Sequence, residues 1–272
     1  MTAGPRLRLT ILGCGASYGV PRVGNDWGHC DPNEPKNRRT RCAALVERFG
    51  DGNARTTILI DTGPELRFQL LAADVRHLDA VLYTHPHADH IHGIDDLRSF
   101  WLNSRRLVDV YCDATTMARL EQGFGYCFRS QPGSNYPPIL RSHNIAAGQP
   151  LTITGAGGPI TVEPFRQVHG EIESLGFRFG TLAYSCDASD FPKESLSAIS
   201  GLEVWIVGAL RHALHGSHLS VAQAVGWIER MRPVRAILTH MHVDLDYWQL
   251  KNELPAHIEP AYDMMKIEFE GS

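Results

Sequence analysis

The chain has 272 residues, 43% of them hydrophobic, and a formal charge of −4, with 26 basic and 30 acidic side chains mixed along its length. That length and apolar fraction suffice for one sizeable core; no run of about 18 apolar residues offers a membrane span, and no basic arm supplies the footprint of a protein that grips an extended nucleic acid. The six cysteines, at positions 14, 30, 42, 112, 127 and 186, form no Cys-x-x-Cys pair, which suits reduced thiols rather than a disulfide framework. Met1 to Pro5 leads into a strand-like run without the charged start, apolar stretch and cleavage site of a secretory signal, so a cytoplasmic protein is expected.

A first strand is predicted from Leu7 to Gly13, followed by a glycine-rich loop to Gly28 and a polar, proline-bearing loop to Arg41. Strands follow near Cys42 to Phe49 and Thr56 to Asp61. A helix is expected to start at Pro64, where proline suits a first turn, and to run through Glu65 to Ala73. The apolar run from Leu78 to Tyr83 reads as a buried strand, and a helix is predicted from Ile94 to Leu102. In the second half, strands are predicted near 107–112, 159–168, 174–180, 182–186 and 203–208. A helix from Ser220 to Arg230, with Ser220 able to cap it, then precedes a strand from Val234 to Leu238. Met264 to Phe269 is placed at a sheet edge. No internal repeat or low-complexity linker interrupts the chain, and residues 1–272 read as a single domain. Strands followed by helices in both halves favour an α/β architecture of two packed sheets with helices outside.

The segment Thr84-His85-Pro86-His87-Ala88-Asp89-His90 begins where the Leu78–Tyr83 strand ends. Alternate side chains of an extended strand share a face, so His85 and His87 can converge on one point. The turn opened by His92-Gly93 then aims Asp89 and His90 at a second point nearby. Imidazole and carboxylate donors at two adjacent points suit a pair of divalent first-row metals. Three more candidates stand at the ends of later strand-like runs: His169 after Ile160–Val168, Asp187 after Tyr184-Ser185-Cys186, and His240 after Ala236–Thr239. Singly, each has a plainer reading, a hydrogen-bonded histidine or an aspartate that opens a turn or caps a helix. Their order at successive strand ends ties them to the cluster.

With these downstream positions, the His-x-His-x-Asp-His motif resembles that of the metallo-β-lactamase superfamily. The resemblance implies an αβ/βα sandwich of two mixed sheets with outer helices, and two divalent ions, Zn2+ or Mn2+. It implies that His85, His87 and His169 hold one ion, that Asp89, His90 and His240 hold the other, and that Asp187 bridges them. Asp61, ending its strand before Thr62-Gly63, resembles the aspartate that orients a ligand histidine; its plain alternative is to begin a turn.

The loop Gly13-Cys14-Gly15-Ala16-Ser17-Tyr18-Gly19-Val20-Pro21 resembles the Gly-x-Gly-x-x-x-Gly-x-Pro loop of PhnP-type phosphodiesterases, which act on small cyclic phosphodiesters. Related transfer-RNA 3′-processing nucleases of the ribonuclease Z branch open on similar loops. Glycine there permits left-handed backbone and close approach to a ligand. Beside it, Ser17, Arg38, Arg39 and Arg41 are candidate substrate contacts, the guanidinium forks suiting phosphate, with solvation or carboxylate pairing as the alternative for each arginine. Gly216-Ser217-His218-Leu219-Ser220 resembles the loop whose histidine faces the leaving group in these relatives. His218 is therefore the candidate general acid and a substrate contact, with His215 as a further contact and both His212 and His215 as rivals for the role.

One departure stands out. PhnP-type enzymes carry a structural zinc on a Cys-x-Cys-x-x-Cys cluster and a distant histidine, whereas this region reads Asn25-Asp26-Trp27-Gly28-His29-Cys30-Asp31, and Val243 stands at the partner position. A tetrahedral site needs four such donors, so no structural zinc of this type is expected. His242 and Asp244 are read as outer partners of the second metal or as loop residues.

The chemistry that the resemblance implies is hydrolysis of a small cyclic or nucleotide-like phosphodiester. Hydroxide held by the two ions near neutral pH attacks phosphorus, Asp89 holds the second ion in the catalytic set, and His218 protonates the departing oxygen. The alternatives are a glyoxalase II-like thioester hydrolase, in which the glycine loop and His218 have no clear role, and a nuclease acting on short oligonucleotides. A secreted β-lactamase, a flavin-coupled di-iron reductase and a non-catalytic binding protein fit less well, for want of a signal, for want of a carboxylate at position 87, and because no ligand is lost. The expected partners are a small substrate, no membrane, no extended nucleic acid and, by analogy with the fold, a second copy in a homodimer.

Overall fold

The computed structural model describes residues 5–130 and 132–271, so Met1 to Gly4, which entered the reading of the N-terminus, lie outside the described residues. Chain order runs β1 (Arg6–Gly13), β2 (Ala43–Phe49), β3 (Arg55–Ile60), α1 (Leu66–Ala72), β4 (Ala80–Leu82), α2 (Ala88–Ile91), α3 (Arg98–Ser104), β5 (Val108–Cys112), α4 (Ala114–Phe128) and β6 (Leu140–Asn144). It continues through β7 (Leu151–Gly155), β8 (Gly158–His169), β9 (Ile172–Phe179), β10 (Leu182–Ser185), β11 (Val204–Gly208), α5 (Val221–Met231), β12 (Arg235–Thr239), α6 (Tyr247–Glu253), β13 (Ile258–Pro260) and β14 (Met265–Glu270).

These strands form two seven-stranded mixed sheets, in the orders β14-β1-β2-β3-β4-β5-β6 and β13-β12-β11-β10-β9-β8-β7. In the first, β14, β1, β2 and β3 pair antiparallel, and β3 through β6 run parallel. In the second, β7 through β10 pair antiparallel, and β10 through β13 run parallel. The period of two along a strand builds two cores at once. Ile58 and Ile60 of β3 join Leu9, Ile11, Phe177, Tyr184 and Trp205 between the sheets. Leu59, pointing the other way, joins Leu12, Leu45 and Val81 against Leu66, Ile94, Phe100 and Leu120 on the helical side.

The predicted strands all form, with ends shifted by one or two residues. The first helix begins at Leu66, with Glu65 at its N-cap and no side-chain cap bond. The segment predicted as one helix from Ile94 to Leu102 divides into a 3-10 turn, Ile94–Leu97, and α3. The cap expected at Ser220 is a full capping box with Gln223. Elements α2, α4, α6, β6, β7 and β13 have no counterpart among the predicted elements. In α4, Gly123 and Gly125 flank Phe124, whose φ of −133° kinks the helix and breaks its sequence signature.

Candidate metal centre

The candidate ligands gather at the carboxyl ends of the strands of both sheets, where parallel strands leave room for loops to converge. Beyond β4 the chain stays extended to His87 (φ −66°, ψ 150°), the N-cap of the single turn α2, which then presents Asp89 and His90. The helical turn at Ala88, rather than a turn at His92-Gly93, separates the two donor pairs. His169 is the last residue of β8, Asp187 follows β10 by two residues, and His240 follows β12 in the left-handed region at φ 57°.

Among the described residues, His85, His87, His169 and Asp187 form a first donor group and Asp89, His90 and His240 a second, while Cys186 converges with His90 and Asp187, and His218 with Asp187 and His240. Asp187 is shared between the first and second groups. Its Oδ2 lies 3.7 Å from His85 Nε2 and 3.6 Å from His169 Nε2, while its Oδ1 lies 3.3 Å from His240 Nε2 and 3.5 Å from His90 Nε2. In the first group, His87 Nδ1 stands 2.9 Å from His85 Nε2 and 3.2 Å from His169 Nε2. Nitrogens on one tetrahedral ion, each at about 2.0–2.1 Å from it, sit about 3.3 Å apart. The second group leaves His90 Nε2, Asp187 Oδ1 and both His240 nitrogens buried without a hydrogen-bond partner. Buried polar atoms rarely go unpartnered, and nitrogen and carboxylate donors converging at these distances fit divalent ions.

A supporting layer fixes the rings. Asp61, buried and left-handed at φ 62°, accepts from Thr84 N at 2.8 Å and Thr84 Oγ1 at 2.8 Å, and stands 2.7 Å from His90 Nδ1. Thr84 Oγ1 in turn lies 2.9 Å from His85 Nδ1. On the other side, His169 Nδ1 donates to the Ser217 carbonyl at 2.7 Å. Thr84 and Ser217 are the contributors that the sequence reading did not single out.

Charges follow the same plan. Burial, then the nearby His90, pushes His85 well below its usual range, and burial with His169 lowers His87. Burial opposes ionisation of Asp187, but His240, His90 and His85 hold it well below the carboxylate range. Asp89 is lowered too, His90 outweighing burial. His90 moves up against its own burial because Asp187 and Asp61 face it. The lowered His85 and His87 and the ionised Asp89 and Asp187 are in the states that ligation requires, whereas His90, raised by its carboxylates, has to give up its proton to an incoming ion.

His218 lies on the wall of the site. Its ring stacks on His240 at 4.6 Å, its Nδ1 is 3.9 Å from Asp187 Oδ2, and burial followed by His240 pushes its pKa down to about 3. His215 is exposed, 5.2 Å from His218 between ring centres, with its Nδ1 3.2 Å from Ser217 Oγ. His212 pairs with Glu253 at 3.6 Å, and His242 with Asp244 at 3.1 Å.

The proposed substrate arginines divide. Arg41 binds Glu65 at 3.0 Å and the Ser17 carbonyl at 3.0 Å, and exposed Arg38 covers the Trp27 ring at 5.1 Å. Arg39 is 1% exposed, so the expectation that it meets substrate is corrected: its NH1 and NH2 donate to His242 O and Asn37 Oδ1, and its Nε is buried without a partner. The reasons proposed for the glycines divide: Gly19 does take left-handed backbone, at φ 68°. A Cβ at Gly13 would lie 2.1 Å from Arg41 O and one at Gly15 2.8 Å from Arg39 O, so the close approach is to the chain's own backbone. Around Cys30, where the resemblance would place a structural zinc, the described neighbours are Arg39, Val243, Val20 and Trp27.

Residues 56–241 match the family described as Beta-lactamase superfamily domain. An octanoyltransferase of Porphyromonas gingivalis (strain ATCC BAA-308 / W83) is 33% identical over 263 residues, covering 94% of this chain and 50% of that protein. A ribonuclease Z of Bradyrhizobium sp. (strain ORS 278) is 31% identical over 147 residues, covering 53% of this chain and 46% of that protein. The chain thus spans about half the length of the curated relatives it matches. The crystal structure of a diphosphatase from the PhnP family superposes with a TM-score of 0.87 at 33% identity, covering 98% of each chain.

Proposed function

The chain belongs to the beta-lactamase superfamily, and from that premise we propose that it is a dinuclear metal-dependent hydrolase that cleaves small cyclic or nucleotide-like phosphodiesters. The observation that carries the reading is the division of Asp187, with one oxygen toward His85 and His169 and the other toward His90 and His240.

His85, His87 and His169 would hold one ion, Zn2+ or Mn2+, and Asp89, His90 and His240 the other. When bound, the pair supplies Lewis-acid neutralisation of phosphate charge and a water-derived nucleophile at neutral pH. The chain's own residues do the rest. Asp61 and Thr84 keep the rings of His90 and His85 aimed inward, and the Ser217 carbonyl fixes the tautomer of His169. His218 Nδ1 lies 3.9 Å from Asp187 Oδ2, and Nε2 is the nitrogen that would meet the departing oxygen. Burial and His240 push the ring's pKa down to about 3, and an anionic phosphate bound beside it would raise it again. Ser17, Arg38, Arg41 and His215 are the candidate substrate contacts.

A second reading is favoured by one comparison: the relative that matches 98% of the chain at 33% identity is a diphosphatase, so a diphosphate linkage is the rival bond. The activity of the octanoyltransferase relative is not carried over, since half of that protein lies outside the match. A small substrate rather than an extended nucleic acid suits the formal charge of −4. No helix among the described residues is long and apolar enough to cross a membrane. Residence in the cytoplasm and a homodimeric state belong to the same proposal.

Metal-reconstituted protein offered bis(p-nitrophenyl) phosphate, a diphosphate diester and a lactoylglutathione thioester under identical conditions separates the readings. Diester cleavage that disappears in His85→Ala supports the phosphodiesterase. Preference for the diphosphate supports the rival, and thioester cleavage with both phosphates inert overturns both.

A further inference from the structure

The segment from Gly28 to Arg41 is bolted onto the turn that follows His240. His29 N donates to Val243 O at 2.9 Å, and Cys30 Sγ approaches Val243 O at 3.3 Å and Leu245 O at 3.4 Å. Arg39 NH1 donates to His242 O at 3.4 Å, and its NH2 donates to Asn37 Oδ1 at 3.2 Å. Asn37 passes the charge interaction on, donating to Asp246 Oδ2 at 2.6 Å while its oxygen accepts from Tyr247 N at 2.8 Å. At the outer end, the Lys36 ammonium faces the rings of Tyr247, Tyr262 and Trp248 at 4.2, 4.8 and 5.0 Å. The arm meets the carbonyls of residues 243 and 245, and shares that of residue 242 with Leu245 N.

The arm also reaches His240 through one intervening layer. Gly15 N donates to Thr40 O at 2.8 Å, Met241 N donates to Cys14 O at 2.9 Å and Ala16 N donates to Met241 O at 3.1 Å. Arm, glycine loop and ligand turn are therefore three backbones in direct contact, and Arg39 links the first to the third by its side chain. His240 itself holds a left-handed φ of 57°, which a non-glycine residue keeps only when its surroundings impose it. The His242 carbonyl accepts from Leu245 N of its own turn at 3.2 Å and from Arg39, whose guanidinium ties that turn to Asn37 of the arm from one buried position.

We propose that Arg39 is a positioning residue for the second half of the metal centre: through the His242 carbonyl it fixes the turn that carries His240. It thereby sets the ion affinity of the Asp89–His90–His240 group without touching that group. The inference rests on the two-ion reading of the site.

The test is a zinc competition titration against a chromophoric chelator, using the full chain and resolving both binding constants. Arg39→Met keeps the apolar stem and removes the donors, Arg39→Lys restores one donor, and Cys30→Ala removes the thiol contacts of the same arm. Arg39→Met is expected to weaken one of two ions by up to about 10-fold, the lower end of what loss of a partner bonded directly to a ligand costs, and to leave the other unchanged, with partial recovery in Arg39→Lys. In an Asp89→Asn background, Arg39→Met should cost the remaining ion nothing. If Arg39→Met fails to fold without ions, as read by circular dichroism, Arg39→Lys and Cys30→Ala decide by the same split. Two ions weakened equally, or neither weakened, overturns the proposal alone. A wild-type chain that takes only one ion overturns the two-ion reading and this inference with it.

Discussion

Asp61 Oδ2 lies 2.7 Å from His90 Nδ1, and both side chains are withdrawn from solvent. The pair fixes which His90 nitrogen points into the centre. Asp61→Asn keeps a residue that tolerates φ near 62° but puts an amide where a carboxylate oxygen was. Metal affinity should fall by about 10- to 100-fold, measured by competition titration. Asp61→Ala should in addition lower the unfolding free energy of the ion-free protein by roughly 1–3 kcal/mol through backbone strain. Unchanged affinity in Asp61→Asn would leave this aspartate with a turn-forming role only.

Asp187 is the one side chain that both donor groups share. Asp187→Asn should reduce the bound ions below two per chain, and diester turnover should fall on the order of 10³-fold, the scale of losing a principal electrostatic stabiliser. Metal analysis after dialysis checks the first outcome and initial rates the second. Full occupancy by two ions in Asp187→Asn would show that each group holds its ion without the bridge.

His218 makes a different prediction: it converges with Asp187 and His240 but lies outside the two groups assigned to the ions. His218→Ala should keep both ions and lower turnover by about 10²–10⁴-fold, as loss of a general acid does. The loss should be small for p-nitrophenyl esters, whose leaving group needs little protonation, and large for alkyl esters. An equal loss for both leaving groups would assign His218 to binding rather than proton transfer.

Asp263 links the glycine loop to the arm, accepting from Cys14 N at 3.0 Å and from Thr40 N and Thr40 Oγ1 at 2.7 Å each. Burial outweighs these bonds and raises its pKa from 3.8 to about 6. Between those values the folded chain keeps a proton that the unfolded chain has released. The stability contributed by this group is therefore full below its ordinary value and is lost as pH rises through about 6, by about 3 kcal/mol in all. Urea unfolding at several pH values should show Asp263→Asn gaining on the wild type across that interval. A constant difference between the two would mean that the carboxylate titrates normally in the folded chain.

The sandwich and the gathering of the donors are legible in the sequence for a physical reason. A short metal-binding segment must place several donors within one turn, as His85, His87, Asp89 and His90 do, and β-strands that end at one edge of a sheet announce themselves by apolar runs. His169, Asp187 and His240 can be read only as an ordered set. What escapes has no side-chain signature: Ser217 contributes a backbone carbonyl, and nothing in Arg38-Arg39-Thr40-Arg41 marks which guanidinium turns inward. Helix α6 escapes because its start depends on Asp246 capping Trp248 N and Gln249 N after an irregular loop.

The most direct measurement is diester turnover by ion-free protein as Zn2+ or Mn2+ is added back by equivalents. Activity should rise until two ions per chain are bound, with both required. Turnover complete at one equivalent, or a diester left untouched at full loading, would contradict a two-ion phosphodiesterase.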